Sequence, residues 1–176
     1  MLSIRPATPA DIPAITRIYA EAVIHGTATF EFNPPSEPEM AARLRQVVDG
    51  GYPYLAAEAD GAFAGYAYAA AYRSRPAWRF TVENSVYVAP SVQRRGTGLA
   101  LLNALIDECS RRGFRQMVAV IGDSPKQQAS VALHTAAGFR VTGTLDDVGF
   151  KHGRWLDSLL MQRTLGDGAK TPPASL

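Results

Sequence analysis

Cys109 is the only cysteine in the chain, so it has neither an intrachain disulfide framework nor a cysteine-built zinc site, and no metal site is expected. Charge is also scarce. Charged residues make up 19% of the chain and the formal net charge is only +2. That excess is too small to argue for nucleic acid or a membrane surface, so any positive field that matters must be local. No apolar run approaches the length of a membrane span. The opening residues, MLSIRPATPADI, lack the basic start and apolar stretch of a signal peptide, and a cytoplasmic protein is expected. Two phosphate-binding signatures are missing as well. No Gly-Lys-Ser/Thr closes a P-loop, and no Gly-x-Gly-x-x-Gly dinucleotide fingerprint occurs.

What is present is a globular balance, with 47% apolar residues and enough length for one well-buried core. A strand is expected over Leu2 to Arg5. A helix follows, with Thr8 as cap, Pro9 in the first turn and Ile12, Ile15, Ile18, Tyr19, Ala22 and Val23 at helical spacing. His25 to Pro35 reads as a loop. Ser36 with Glu39 is a capping-box pattern for a second helix whose buried stripe is Met40, Leu44, Val47 and Val48, and Gly50-Gly51 ends it. Tyr52 to Ala59 and Ala62 to Tyr72 flank Asp60-Gly61, a two-residue hairpin signal. Phe80 to Val88 is a further strand, Thr97 to Arg112 a long helix and Met117 to Ile121 a buried strand. Ser130 to Ala137 is a short helix, and Phe139 to Leu145 and Trp155 to Leu165 are strands. The order β-α-α-β-β-β-α-β-α-β-β implies a mixed α/β chain with an antiparallel meander and later helical crossovers. A single domain is expected over 1–165. The segment 166–176 carries no pattern and is expected to be disordered.

The most informative stretch is Val86 to Leu99, VYVAPSVQRRGTGL. A strand ends, a turn carries Gln93, Arg94, Arg95, Gly96, Thr97 and Gly98, and a helix begins at once. Glycines allow backbone to approach a ligand closely, and the first amides of a helix lack partners within it. With two arginines added, such a turn suits a pyrophosphate. An ordinary basic helix start with cap glycines has the same pattern.

The surroundings favour the ligand-binding reading. Gln93-Arg94-Arg95-Gly96-Thr97-Gly98 resembles the acetyl-CoA motif of the GNAT acetyltransferase superfamily, Gln/Arg-x-x-Gly-x-Gly/Ala. The stretch from Ser130 to Gly138-Phe139 looks like that family's second cofactor helix. The likeness is strongest to the branch of phosphinothricin and methionine sulfone/sulfoximine acetyltransferases. It rests on Thr29-Phe30-Glu31, Gly65-Tyr66-Ala67, Tyr72-Arg73, the strand from Thr81 to Val88, and Val148-Gly149 through Gly153-Arg154-Trp155-Leu156-Asp157. It implies a central, mostly antiparallel sheet with splayed strands, flanked by helices. The implied reaction carries an acetyl group from acetyl-CoA directly to the amine of a small amino-acid-like molecule. By the same resemblance the cofactor arm lies along Val86, Tyr87 and Val88, the Val88 amide faces the developing oxyanion, and the chain pairs as a homodimer. The turn from Gln93 to Leu99 would hold the diphosphate. Gln127 falls where the branch has an asparagine contacting the arm, and Ser130 opens the second helix. His134 stands where many relatives carry a tyrosine that protonates the departing thiolate.

Other assignments rest on the residues themselves. An α-amine is largely protonated at neutral pH, so a base must relieve it of a proton. Glu83 lies in an apolar, β-branched strand and is the candidate; the alternative is an exposed carboxylate paired with Arg79 or Arg73. Arg73 and Arg75 could grip a carboxylate or phosphinate with paired hydrogen bonds. Phe30 and Glu31 could wall the same pocket, and Ser74, Asn84 and Ser85 complete the substrate set. Lys151, His152 and Arg154 read as a solvated turn, Trp78 and Trp155 as core or interface anchors, and Cys109 as packing. Two competing functions stay open: acetylation of protein N-termini or lysines, and coenzyme A binding without turnover.

Overall fold

The computed structural model describes residues 1–173. Seven strands form one sheet in the order β1-β2-β3-β4-β5-β7-β6. They are β1 (Leu2–Pro6), β2 (Tyr54–Ala59), β3 (Ala62–Ala71), β4 (Thr81–Val88), β5 (Gln116–Gly122), β6 (Arg140–Lys151) and β7 (Arg154–Thr164). Helices α1 (Ile12–His25) and α2 (Glu37–Asp49) pack on one face, and α3 (Thr97–Arg111) and α4 (Gln128–Ala136) on the other. The element order is the one expected, and the mixed, splayed sheet between helices is the expected fold class.

Local chemistry explains most boundaries. Ser36 and Glu39 form the capping box of α2, with the Ser36 amide donating to Glu39 Oε2 at 2.7 Å and the Glu39 amide to Ser36 Oγ at 3.4 Å. Val48, expected in the buried stripe, is instead half exposed, because the apolar face of α2 is satisfied by Met40 and Leu44. Asp60 and Gly61 both take positive φ, as a tight hairpin between right-twisted strands requires. On α3, Leu101, Leu102 and Leu105 are fully buried against the sheet, each contributing on the order of 1.5–3 kcal/mol by leaving water.

Only β4 and β5 run parallel, and they touch over three residue pairs, Thr81–Gln116, Val82–Met117 and Glu83–Val118. Beyond Glu83 the strands part, so the β5-facing edge of β4 has no strand partner from Asn84 onward. The sheet is thus forked at its centre, and the fork opens toward the start of α3.

β6 is longer than expected. It continues past Leu145 through a bulge around Asp147, whose φ is 55°, and reaches Lys151. After Thr164, Leu165 is buried, residues 166–169 form a turn, and Arg115 holds the stretch after Leu165 by hydrogen bonds to the Gly168 and Pro172 carbonyls. The last three residues of the expected disordered tail, 174–176, lie outside the described residues.

Candidate active site

The fork encloses a cavity of about 410 Å³. Its walls come from α1 (Tyr19), the α1–α2 loop (Ala28, Thr29, Phe30), β3 (Tyr68), the free part of β4, β5 and the start of α4. Side chains alternate along β4, so the cavity is furnished from both faces of the sheet. Tyr87 packs on Tyr19 and Tyr66 on the α1 side. Asn84 faces the other way and meets His134 on α4.

Glu83 lines the cavity at the vertex of the fork. Burial alone pushes its carboxyl above the usual carboxylate range. The two arginines that would have paired it are otherwise engaged: Arg79 donates to the Pro76 carbonyl and covers Phe80, while Arg73 stacks over Tyr72 and Trp78. The ion-paired alternative is therefore not the arrangement adopted.

His134 is 5% exposed, and its Nδ1 lies 2.8 Å from the Ser130 carbonyl while Nε2 lies 3.0 Å from Asn84 Oδ1. The Asn84 amide nitrogen donates to the Val118 carbonyl at 3.1 Å, which leaves its oxygen as an acceptor. Both ring nitrogens thus face acceptors, and a doubly protonated ring would satisfy both contacts. Burial works against that charge and lowers the His134 pKa. Asn84, assigned to the substrate from sequence, lines the cavity but spends its amide on bridging the fork and orienting His134.

At the mouth of the fork, Gly96 adopts φ 84°, and Ala100 is the first amide to bond within α3, to the Gly96 carbonyl. The amides of Thr97, Gly98 and Leu99 precede that first bond and have no partner inside the helix. A β-carbon on Gly98 would lie 3.4 Å from Val88 Cγ2 and 3.6 Å from Leu133, so the helix start is drawn tight against β4 and α4. The Ala89 amide bonds to the Ala64 carbonyl on the β3 side. By the alternation of an antiparallel ladder, the Val88 amide points the opposite way, into the fork. Arg94 and Arg95 flank this turn and are exposed. Unspent helix amides, two free guanidinium groups and an unpaired strand edge fit a diphosphate joined to an amide-bearing arm.

The structure gathers Phe30, Glu83, Asn84, Ser85, Val86, Tyr87, Gln127, Ser130 and His134 around one cavity. It sets Glu31 outside the wall, where Tyr19 donates to it at 3.0 Å and Arg43 at 2.7 Å. Arg73, Ser74 and Arg75 lie on the exposed β3–β4 loop and do not line the cavity. Gln127 caps α4 and turns its amide to Thr27 Oγ1 at 3.3 Å. Sequence reasoning missed Tyr19, Thr29 and Tyr68 as wall residues, and it misread Lys151. Far from being solvated, Lys151 is 2% exposed. Thr29 was within reach, since it opens the Thr-Phe-Glu motif already singled out; the burial of Lys151 depends on a distant loop.

A sheet forked after one short parallel contact, with a carboxylate at the vertex and a helix start of unspent amides at the mouth, is the framework of a coenzyme A-dependent acyltransferase. Comparison with known proteins narrows that class. The family model for the acetyltransferase (GNAT) domain matches residues 4–160, and the chain belongs to that family. It is 51% identical over 171 residues to the phosphinothricin N-acetyltransferase of Alcaligenes faecalis, covering 97% of this chain and 86% of that protein. It is 42% identical over 170 residues to the L-methionine sulfoximine/L-methionine sulfone acetyltransferase of Salmonella typhimurium, covering 96% and 97%. The crystal structure of a phosphinothricin acetyltransferase from Sinorhizobium meliloti in complex with acetyl-CoA superposes with a TM-score of 0.95 at 49% identity, covering 99% of this chain and 94% of that one.

Proposed function

We propose that this chain carries the acetyl group of acetyl-CoA to the amine of a small amino-acid-like acceptor of the phosphinothricin or methionine sulfoximine/sulfone type. The observation that carries the reading is the forked cavity, with an unpaired Glu83 at its vertex and unspent α3 amides at its mouth. When bound, acetyl-CoA supplies an acetyl group activated as a thioester. Arg94 and Arg95 would neutralise its diphosphate, and the amides of Thr97, Gly98 and Leu99, with Gln93 and the left-handed turn at Gly96, would hydrogen-bond it. The free edge of β4 from Val86 to Val88 pairs with the amides of its arm, and Gln127 and Ser130 border that arm from α4.

Glu83 takes the proton of the acceptor's ammonium, directly or through water, and a carboxyl with a raised pKa is suited to the exchange. The Val88 amide donates to the oxygen on which negative charge grows. His134 lines the cavity between Asn84 and Ser130, and to return a proton to the departing sulfur its Nε2 must leave Asn84 Oδ1. The acceptor lies against Phe30, Ser85 and the tyrosines of the α1 side, and attack is direct: Cys109 is buried within α3, and burial pushes its thiol up to about 12.

We also propose a cytoplasmic homodimer. Val141, Leu145, Val148, Phe150 and Trp155 are all about half exposed or more along β6 and β7, a larger apolar strip than a lone sheet edge tolerates well. Arg73 and Arg75 lie outside the cavity of the single chain, so their part in holding an acceptor carboxylate requires assembly to bring their loop against a cavity.

Thiol release measured over free amino acids, their sulfone, sulfoximine and phosphinate analogues and short peptides tests the reading. Turnover confined to the small acceptors is expected. Turnover of peptides alone would make the chain a protein acetyltransferase, and coenzyme A binding with no turnover would leave a binding module.

A further inference from the structure

The loop between α1 and α2, residues 26–36, contributes Ala28, Thr29 and Phe30 to the acceptor side of the cavity. Its sequence reads as a loop, and its contacts hold it as a wall. Lys151, the last residue of β6, donates from Nζ to the Gly26 carbonyl at 2.9 Å and to the Thr29 carbonyl at 2.8 Å. Among the described residues no carboxylate pairs with this ammonium. Burial pushes its pKa down, against the distant charge of Glu31. A buried ammonium satisfied only by carbonyls is costly to keep, and here it ties together the two ends of the segment Gly26–Thr29.

Two further anchors act on the same segment. Thr27 Oγ1 donates to Asp123 Oδ2 at 2.7 Å, and Arg154 grips Asp123 with both terminal guanidinium nitrogens. The ring of Phe30 fills a slot that exists because β5 and β6 carry glycine there. A β-carbon on Gly122 would lie 2.6 Å from Phe30 Cε1, and one on Gly149 would overlap the ring. All three anchors belong to the β5–β7–β6 half of the forked sheet or the loop after β5. The acceptor wall is therefore fastened across the fork from the half of the sheet that does not carry Glu83.

We propose that Lys151 is a positioning residue. From the β6–β7 hairpin it fixes residues 26–30 as an immobile wall, and the position of that wall sets the affinity for the amine acceptor. This rests on the acetyl-transfer reading above. The test is Lys151→Met, which keeps the stem and removes the donors. The acceptor KM is expected to rise about tenfold or more, with kcat at saturating acceptor within about threefold of the parent, because the wall touches the acceptor and not the thioester. Calorimetric affinity for acetyl-CoA should be unchanged, and amide hydrogen exchange should quicken over residues 26–31 and not elsewhere.

Gly149→Ala is the companion variant. It displaces Phe30 without disturbing a charge and should raise the same KM, which carries the test if Lys151→Met fails to fold. An unchanged acceptor KM with unchanged exchange in 26–31 would overturn the proposal, as would equal losses in acceptor and acetyl-CoA affinity. If the parent acetylates no amine and Lys151→Met still quickens exchange over 26–31, the acetyl-transfer reading fails and the fastening stays in place.

Discussion

At position 83 a carboxylate is partly buried, and among the described residues no cation pairs with it. Its folded pKa is raised, so the protonated form predominates to a higher pH than for a free glutamate, and the base form appears only above that point. The kcat/KM for an amine acceptor should therefore climb with pH along a limb displaced above the ordinary carboxylate range. Glu83→Gln should abolish that limb and lower kcat/KM about 100-fold or more. The linkage sign gives a second readout. A raised carboxyl pKa costs stability at every pH above it, so the glutamine variant should melt no lower than the parent at neutral pH. Glu83 was legible in the sequence because a lone acid in an apolar strand stands out. Lys151 was not, because its environment is built by a loop more than a hundred residues away in the chain. The doubled acceptors around His134 were equally invisible, since Asn84 reaches it only once β4 and α4 are packed together.

Among the elements, β4 matters most, and its position depends on β3. Gly65 stands opposite Val88, and a β-carbon there would lie 2.5 Å from the Tyr87 carbonyl oxygen. Gly65→Ala should push the free end of β4 into the fork, cost roughly 1–3 kcal/mol by overpacking and weaken acetyl-CoA binding. Thermal melting and cofactor titration together would check both effects. Helix and strand order was legible because caps and hairpin signals are local chemistry: Ser36 with Glu39, Asp60 with Gly61. The full reach of β6 was not, because the bulge at Asp147 breaks the two-residue alternation by which a strand is recognised. The exposure of Val48 likewise depends on what α2 meets, which helical spacing alone does not reveal.

At the scale of the whole molecule, the exposed strip on β6 and β7 predicts association. Trp155 is 62% exposed beside Phe150, and Trp155→Glu should convert a dimer to a monomer in light scattering while leaving the helical signal of circular dichroism intact. The forked sheet carries a different consequence. Backbone groups on the open side of β4 are a row of donors and acceptors without a strand partner, so on the proposed reading one of the protein's own reactants finishes its sheet. Its resistance to heat should then report the supply of that reactant. Saturation at a hundredfold excess over Kd adds about 2.7 kcal/mol by mass action. For a chain of this size, that is a rise in Tm of about 5–10 °C. Scanning calorimetry with and without acetyl-CoA would measure it, and a shortage of coenzyme A should leave this protein in its less heat-resistant form.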